Sequence, residues 1–254
     1  MTDKQFEYCF LTWDTANNFR PDSLTYPHEY KGESKLNIAC TQILDMTPTQ
    51  QKKLVKEWID FLPNCKEIEM LWFSTQLSQQ LFDSVCKLKN LIGLNIKWSN
   101  IIKLDNISNL TSLKYLRFGS SARIESIIPL TTLTNLEVLG IENFKKISDF
   151  APLSKLTNLK FLSIEGGMYT KQKVDSFEPI SKLTNLIYFS TAMISCVDKR
   201  IDPILNLKNL LTLNWAFDIP KKDMERLKTE LPKLKYLPHR NYEENMKKLK
   251  ATFG

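Results

Sequence analysis

Apolar residues recur along this 254-residue chain in one spacing, L-x-x-L-x-x-L-x-(apolar). The phrase starts at Leu62, Leu88, Leu110, Leu133, Leu156, Leu183, Leu207 and Leu231, and successive starts lie 26, 22, 23, 23, 27, 24 and 24 residues apart. A fragment around Leu36 and Ile38 begins the series. The end of each phrase alternates, as in Leu139-Gly140-Ile141, which is the period of a strand with one face buried. Between phrases the apolar residues fall about three apart, as in Ile101, Leu104 and Ile107, which predicts a short helical or 3-10 return path. One unit offers five to seven apolar side chains, each worth roughly 1.5–3 kcal/mol when buried. Ordering its 22 to 27 residues costs about 1–2 kcal/mol apiece. A unit therefore cannot fold alone and must stack on its neighbours.

The recurring LTNL of residues 133–136, 156–159 and 183–186, set in this frame, resembles the leucine-rich repeat family. It is closest to the 22-residue class found in phosphatase-regulating subunits and bacterial internalin-like proteins. The resemblance covers about residues 36–238. It implies an α/β solenoid, with a curved parallel β-sheet on the concave side and short helical or 3-10 returns on the convex side. It also implies a partner protein bound on the concave face. The family pattern places Asn or Cys where this chain has Phe73, Ser99, Ser121, Phe144, Gly167, Ile194 and Asp218. The buried asparagine ladder is thus expected to be absent, and the turn after each strand must satisfy its backbone groups by other means.

The ends differ from the middle, as a solenoid requires. Residues 47–62 carry Thr47 as N-cap, Pro48 at the first helical position and Gln50 three residues on, followed by an apolar stripe of Leu54, Val55, Trp58 and Phe61. An amphipathic helix packed on the first strands is expected there. Residues 1–35 read as an N-terminal cap or a partner-binding arm, 36–238 as the solenoid and 239–254 as a C-terminal helical cap. Pro220 to Glu230 and Asn241 to Ala251 are the expected closing helices, with Met224, Leu227 and Leu231 turned inward in the first.

Composition narrows the class. No basic start followed by an apolar run opens the chain and no apolar segment approaches a membrane span, which reads as a soluble, cytoplasmic protein. Five scattered cysteines without a CxxC argue against a disulfide framework and against zinc. The net charge of +7 is spread: near −2 over residues 1–60, +5 over 61–217 and +4 over 218–254. Lysines and glutamates alternate, so a nucleic acid or other acidic polymer bound by the basic middle and C-terminal helices is the second reading. Abundant Lys, Asn and Ile point to a low-GC bacterium.

Ingredients for catalysis are few. Histidine occurs only at His28 and His239, near opposite ends, and no nucleophile-elbow, zinc-protease, phosphate-loop or dinucleotide motif is present. No cofactor or metal is implied. Glu142 and Glu165 fall in equivalent positions of adjacent units, but an open sheet excludes no water, which favours binding over acid–base work.

With the leucines committed to the core, function falls to the outward strand positions. Register alone lines up Tyr115, Val138, Phe161 and Tyr188 as an aromatic-aliphatic ridge, beside a trough of Gly140, Ser163 and Ser190. Arg117, Glu142 and Glu165 add charge, a composition that suits a protein-binding hot spot. In the same columns, Glu67 and Glu69 are the outward residues of the first full unit, with Leu71 next outward. The ridge is expected to be exposed. The longest unit holds an insertion, residues 165–179, that reads either as a tolerated surface loop or as a contact loop at the rim of the sheet. The sequence reading is thus a non-catalytic, monomeric protein-binding module.

Overall fold

The computed structural model describes residues 20–235 and residue 251. Nine strands pair in one sheet, in the order in which the chain makes them: β1 (Ser23–Leu24), β2 (Lys35–Ile38), β3 (Met70–Leu77), β4 (Gly93–Ser99), β5 (Tyr115–Ser120), β6 (Val138–Glu142), β7 (Phe161–Glu165), β9 (Tyr188–Ala192) and β11 (Thr212–Asn214). Every pairing is parallel. The skipped strands β8 (Gln172–Lys173) and β10 (Ile194–Ser195) pair with each other in a small second sheet. Returns run through 3-10 turns at Asp105–Asn109, Ile128–Thr132, Ala151–Lys155 and Glu178–Lys182, and through the helices α2 (Gln79–Val85) and α3 (Asp202–Leu205). This is the expected stack of coils.

The core lies between the sheet and the return paths. Leu139 and Ile141 of β6 and Ile147, Phe150 and Leu153 of its return are all buried in one continuous cluster. Along that interior the rings of Phe82, Phe118 and Phe144 follow one another at 6.3 and 5.6 Å. Two coils approach so closely at Gly119 that a Cβ there would fall on the carbonyl of Lys97, so only glycine fits.

The first full unit starts at Cys65, not Leu62. Helix α1 (Pro48–Phe61) runs on into a 3-10 turn at Leu62–Asn64, so no strand can begin before Met70. Cys65, Ile68, Leu71 and Phe73 are the buried positions, and the step to Leu88 becomes 23 residues, like those that follow. Met70 and Trp72, not Glu67 and Glu69, therefore stand in register with Gly93 and Asn95, while Leu71 points into the core.

Backbone groups are satisfied in two places. At the strand exits, where the family asparagine is missing, Ser99 and Ser121 hydrogen-bond at 2.7 Å and the Ser121 hydroxyl also lies 2.8 Å from the carbonyl of Gly119. At the strand entries a different ladder runs on the asparagine of the phrase LTNL or LKNL. Asn90, Asn135, Asn158, Asn185 and Asn209 donate to the carbonyls of Lys66, Thr111, Thr134, Thr157 and Thr184, each one unit earlier, at 2.8–3.0 Å. That Asn90 reaches Lys66, the residue after Cys65, agrees with the revised phase.

Two flanking helices, Pro48–Phe61 and Lys221–Glu230, follow their sequence signals. The Gln50 N–H donates to Thr47 Oγ1 (3.3 Å) and the Thr47 N–H to Gln50 Oε1 (2.8 Å), closing a capping box on α1. Leu54 and Trp58 are buried, and the Trp58 indole donates to the carbonyl of Thr25 at 2.8 Å, tying the helix to the segment before β2. Helix α4 (Lys221–Glu230) buries Leu227 as the sequence implies. Residues 1–19 of the expected N-terminal cap lie outside the described residues, as do His239 and, apart from Ala251, the second closing helix.

Candidate functional site: the outward sheet face and its strand-exit rim

The columns expected from sequence form in the expected register. Tyr115 pairs with Val138, Val138 with Phe161 and Phe161 with Tyr188. Arg117 stands beside Gly140, Gly140 beside Ser163, and Glu142 beside Glu165. The Phe161 and Tyr188 rings stack at 5.6 Å with 20° between their planes.

The expectation that this ridge is exposed is corrected. Val138 and Phe161 are 0% exposed and Tyr188 is 5% exposed, while Tyr115 is half-buried. In-register neighbours cover only the flanks of a ring on a sheet, so burial to this degree needs atoms packed over the ring face as well. The ridge is interior surface in this state, and Ser163 and Ser190 of the trough are buried with it.

Arg117, Glu142 and Glu165 keep partial access to water. Arg117 Nη2 lies 3.4 Å from Glu142 Oε2. Burial pushes the Glu142 carboxyl above its ordinary 4.5; Arg117 opposes that shift and the neighbouring Glu165 adds to it. The Ser163 hydroxyl donates to Glu165, holding that carboxylate over the sheet.

An open groove of about 930 Å³ follows the strand entries past Lys114, Glu137, Lys160 and the asparagine ladder. Glu137 lies 3.8 Å from Lys114 and 2.6 Å from Lys160, and Lys233 donates to Asn209 Oδ1 at 2.6 Å, so among the described residues the groove is lined by three lysines and one acid.

At the strand exits a second groove, about 600 Å³, lies between Lys97 and Trp98 of β4, the Arg117–Glu142 pair, Lys145, and the turn Gly167–Thr170 of the insertion. The sequence reading named the insertion as a contact-loop candidate but missed its individual residues. Met168 is 80% and Tyr169 89% exposed, and Trp98, with the Lys97 ammonium 5.8 Å from its ring centre, is 36% exposed. The available signal was an aromatic and a methionine just after Gly166-Gly167, where a turn ordinarily takes small polar residues.

Described residues offer no group of three His, Cys, Asp or Glu able to hold a metal ion, and no described helix is long and apolar enough to cross a membrane. Cys40, Cys65, Cys86 and Cys196 are unpaired and buried, and burial raises each thiol, that of Cys40 to about 12 and that of Cys65 to about 11.

With this geometry in hand, comparison with known proteins is decisive at the level of family. The leucine-rich repeat region family matches residues 43–253. The chain belongs to it. Among solved structures, this leucine-rich-repeat chain is similar to an internalin C2 of Listeria monocytogenes, at 28% identity and a TM-score of 0.53 over 66% of this chain and 70% of that one. It shares the fold of a second Listeria monocytogenes internalin, inlF, at 23% identity and TM-score 0.52, covering 69% of this chain and 56% of that one. A leucine-rich-repeat protein of Leptospira interrogans matches at 21% identity and TM-score 0.50, over 70% and 50%. The chain thus spans about half the length of the last two. No curated protein matches.

Proposed function

We propose that this leucine-rich-repeat solenoid is a non-catalytic module that binds a partner protein on its concave side. Tyr115, Arg117, Glu142 and Glu165 are the contacting side chains, beside the buried ridge residues Val138, Phe161 and Tyr188. The observation that carries this reading is the placement of Arg117, Glu142 and Glu165 on three adjacent strands, Glu142 in register with Glu165 and 3.4 Å from Arg117, all three partly open to water. Side chains fixed by a sheet lose little freedom on binding. Four unpaired cysteines and the bacterial origin of the similar structures support placing the protein in a bacterial cytoplasm, where it acts as a monomer.

An acidic polymer is a poorer fit. Lys146 lies 2.7 Å from Glu125, and Arg226 reaches Asp202, Asp223 and Glu230 at 2.9, 3.5 and 3.5 Å, so basic residues are interleaved with acids. The test is affinity capture from the native cell with mass spectrometry, comparing the intact chain with Arg117→Ala combined with Glu165→Ala. A protein recovered by the first and lost by the second supports the proposal. Equal recovery removes the concave face as the site, and nucleic acid released steeply by salt would establish the other reading.

A further inference from the structure

The insertion after β7 is built, not merely tolerated. Its stem is bound to the next unit, with the Gly166 N–H donating to the carbonyl of Ala192 (2.9 Å) and the Gln172 N–H to that of Met193 (2.8 Å). A Cβ at Gly166 would strike the carbonyls of Met193 and Thr170, so the chain can enter the turn only through glycine. The turn closes on itself through the antiparallel bridge between Gly167 and Thr170. The Thr170 hydroxyl donates to Asn143 Oδ1 (2.9 Å), and Asn143, held at φ 57°, donates through its amide to the Ser120 hydroxyl (2.8 Å). Beneath it Gln172 is 1% exposed, and its amide donates to the carbonyls of Ile147 (2.6 Å), Lys173 (2.9 Å) and Phe144 (3.3 Å).

All of this scaffolding presents Met168 and Tyr169 to solvent at the tip, where neither contributes to the core. A large aromatic and a flexible thioether held on a pre-ordered turn are the kind of side chains that anchor protein interfaces. Across the groove stand Trp98, Lys97 and Lys145, and the one acid lining it among the described residues, Glu142, already faces Arg117. Lys171 and Lys173 flank the tip on the loop itself and are exposed. The rim is therefore apolar at its anchors and basic around them.

We infer that the strand-exit rim is a second docking surface, on which Met168, Tyr169 and Trp98 seat an acidic segment of a partner protein that carries an aromatic or aliphatic side chain beside its carboxylates. The inference rests on the interaction-module reading only in taking the ligand to be protein. It is tested by selecting a random linear-peptide phage library on the full chain and measuring enriched peptides by fluorescence anisotropy. Enriched sequences should pair Asp or Glu with a large apolar residue. Their affinity should fall about 30-fold or more in the Met168→Ala/Tyr169→Ala double variant, the loss expected of interface anchors. It should weaken in Lys97→Glu/Lys145→Glu and with added salt, and stay unchanged in Leu44→Ser, which alters another exposed apolar side chain.

The proposal is overturned if no peptide is enriched, if enriched peptides are basic, or if they bind the double variant as well as the parent. It is equally overturned if an oligothymidylate competes for the rim, or if the double variant abolishes self-association, which would make a second copy the occupant. Arg117 lines both sites, so the variant that separates them is Met168→Ala/Tyr169→Ala, which leaves Arg117, Glu142 and Glu165 in place and should abolish peptide binding at the rim without changing capture on the concave side.

Discussion

The side-chain amide of Asn158 donates to the main-chain carbonyl of Thr134, 24 residues earlier, at 2.8 Å. The same contact is made by four other asparagines, Asn135 and Asn185 of LTNL and Asn90 and Asn209 of LKNL, so five coils are fastened to the one before at the entry of their strands. A net intramolecular hydrogen bond of this kind contributes about 0.5–1.5 kcal/mol. Asn158→Ala should lower stability by that amount in denaturant titration. The unit starting at Leu110 has Ser112 at this position. Ser112→Asn should add the absent rung, toward the carbonyl of Lys89, and raise the denaturation midpoint; an unchanged midpoint would show that the ladder fastens nothing.

Burial of the ridge makes a prediction opposite to that from sequence. An exposed Phe161 would be replaceable by alanine at under about 0.5 kcal/mol. The buried Phe161 should cost about 3–5 kcal/mol, comparable to the 2–5 kcal/mol expected for Leu139→Ala in the core. Equilibrium unfolding of the two variants decides the matter, and a neutral Phe161→Ala would mean that the face is open.

Gln172→Leu keeps roughly the size of the side chain but removes the donor to three carbonyls. Leaving buried acceptors unmet costs about 1–3 kcal/mol each way it is measured. Hydrogen exchange should quicken across residues 166–175 before it quickens elsewhere, because this side chain is the buried link from the loop to the carbonyls of Phe144 and Ile147.

Glu142 contributes a pH dependence of definite sign. Its folded carboxyl titrates above the ordinary 4.5 because burial disfavours the charged form. The folded state then holds a proton that the unfolded state has released, so stability is highest below the unfolded value and falls as pH rises through the folded one. Glu142→Gln should flatten that part of the stability profile; an unaltered slope would assign it to another group.

Much of this was legible in the sequence because a repeated phrase averages out local accidents. Leu139 and Ile141 had to point inward in the same way as Leu162 and Ile164, and the register of Tyr115, Val138, Phe161 and Tyr188 followed without coordinates. Thr47, Pro48 and Gln50 announced α1 through capping chemistry that is wholly local. The phase of the first unit was missed because Leu62, at the end of α1, imitates a repeat leucine while Cys65 conceals one. Exposure of the ridge was unreadable for a different reason: periodicity tells which way a side chain points, but not what lies on top of it. The asparagine rungs were visible as letters, yet their partners are carbonyls, which no sequence distinguishes.

Every strand of the main sheet bonds only to the main-sheet strands before and after it in the chain. Each new turn of the stack therefore finds its template already finished while the ribosome is still adding the next. The main sheet can be completed in the direction of synthesis, each new strand closing the edge left by the one before, and none of its strands must wait for a mate encoded far downstream.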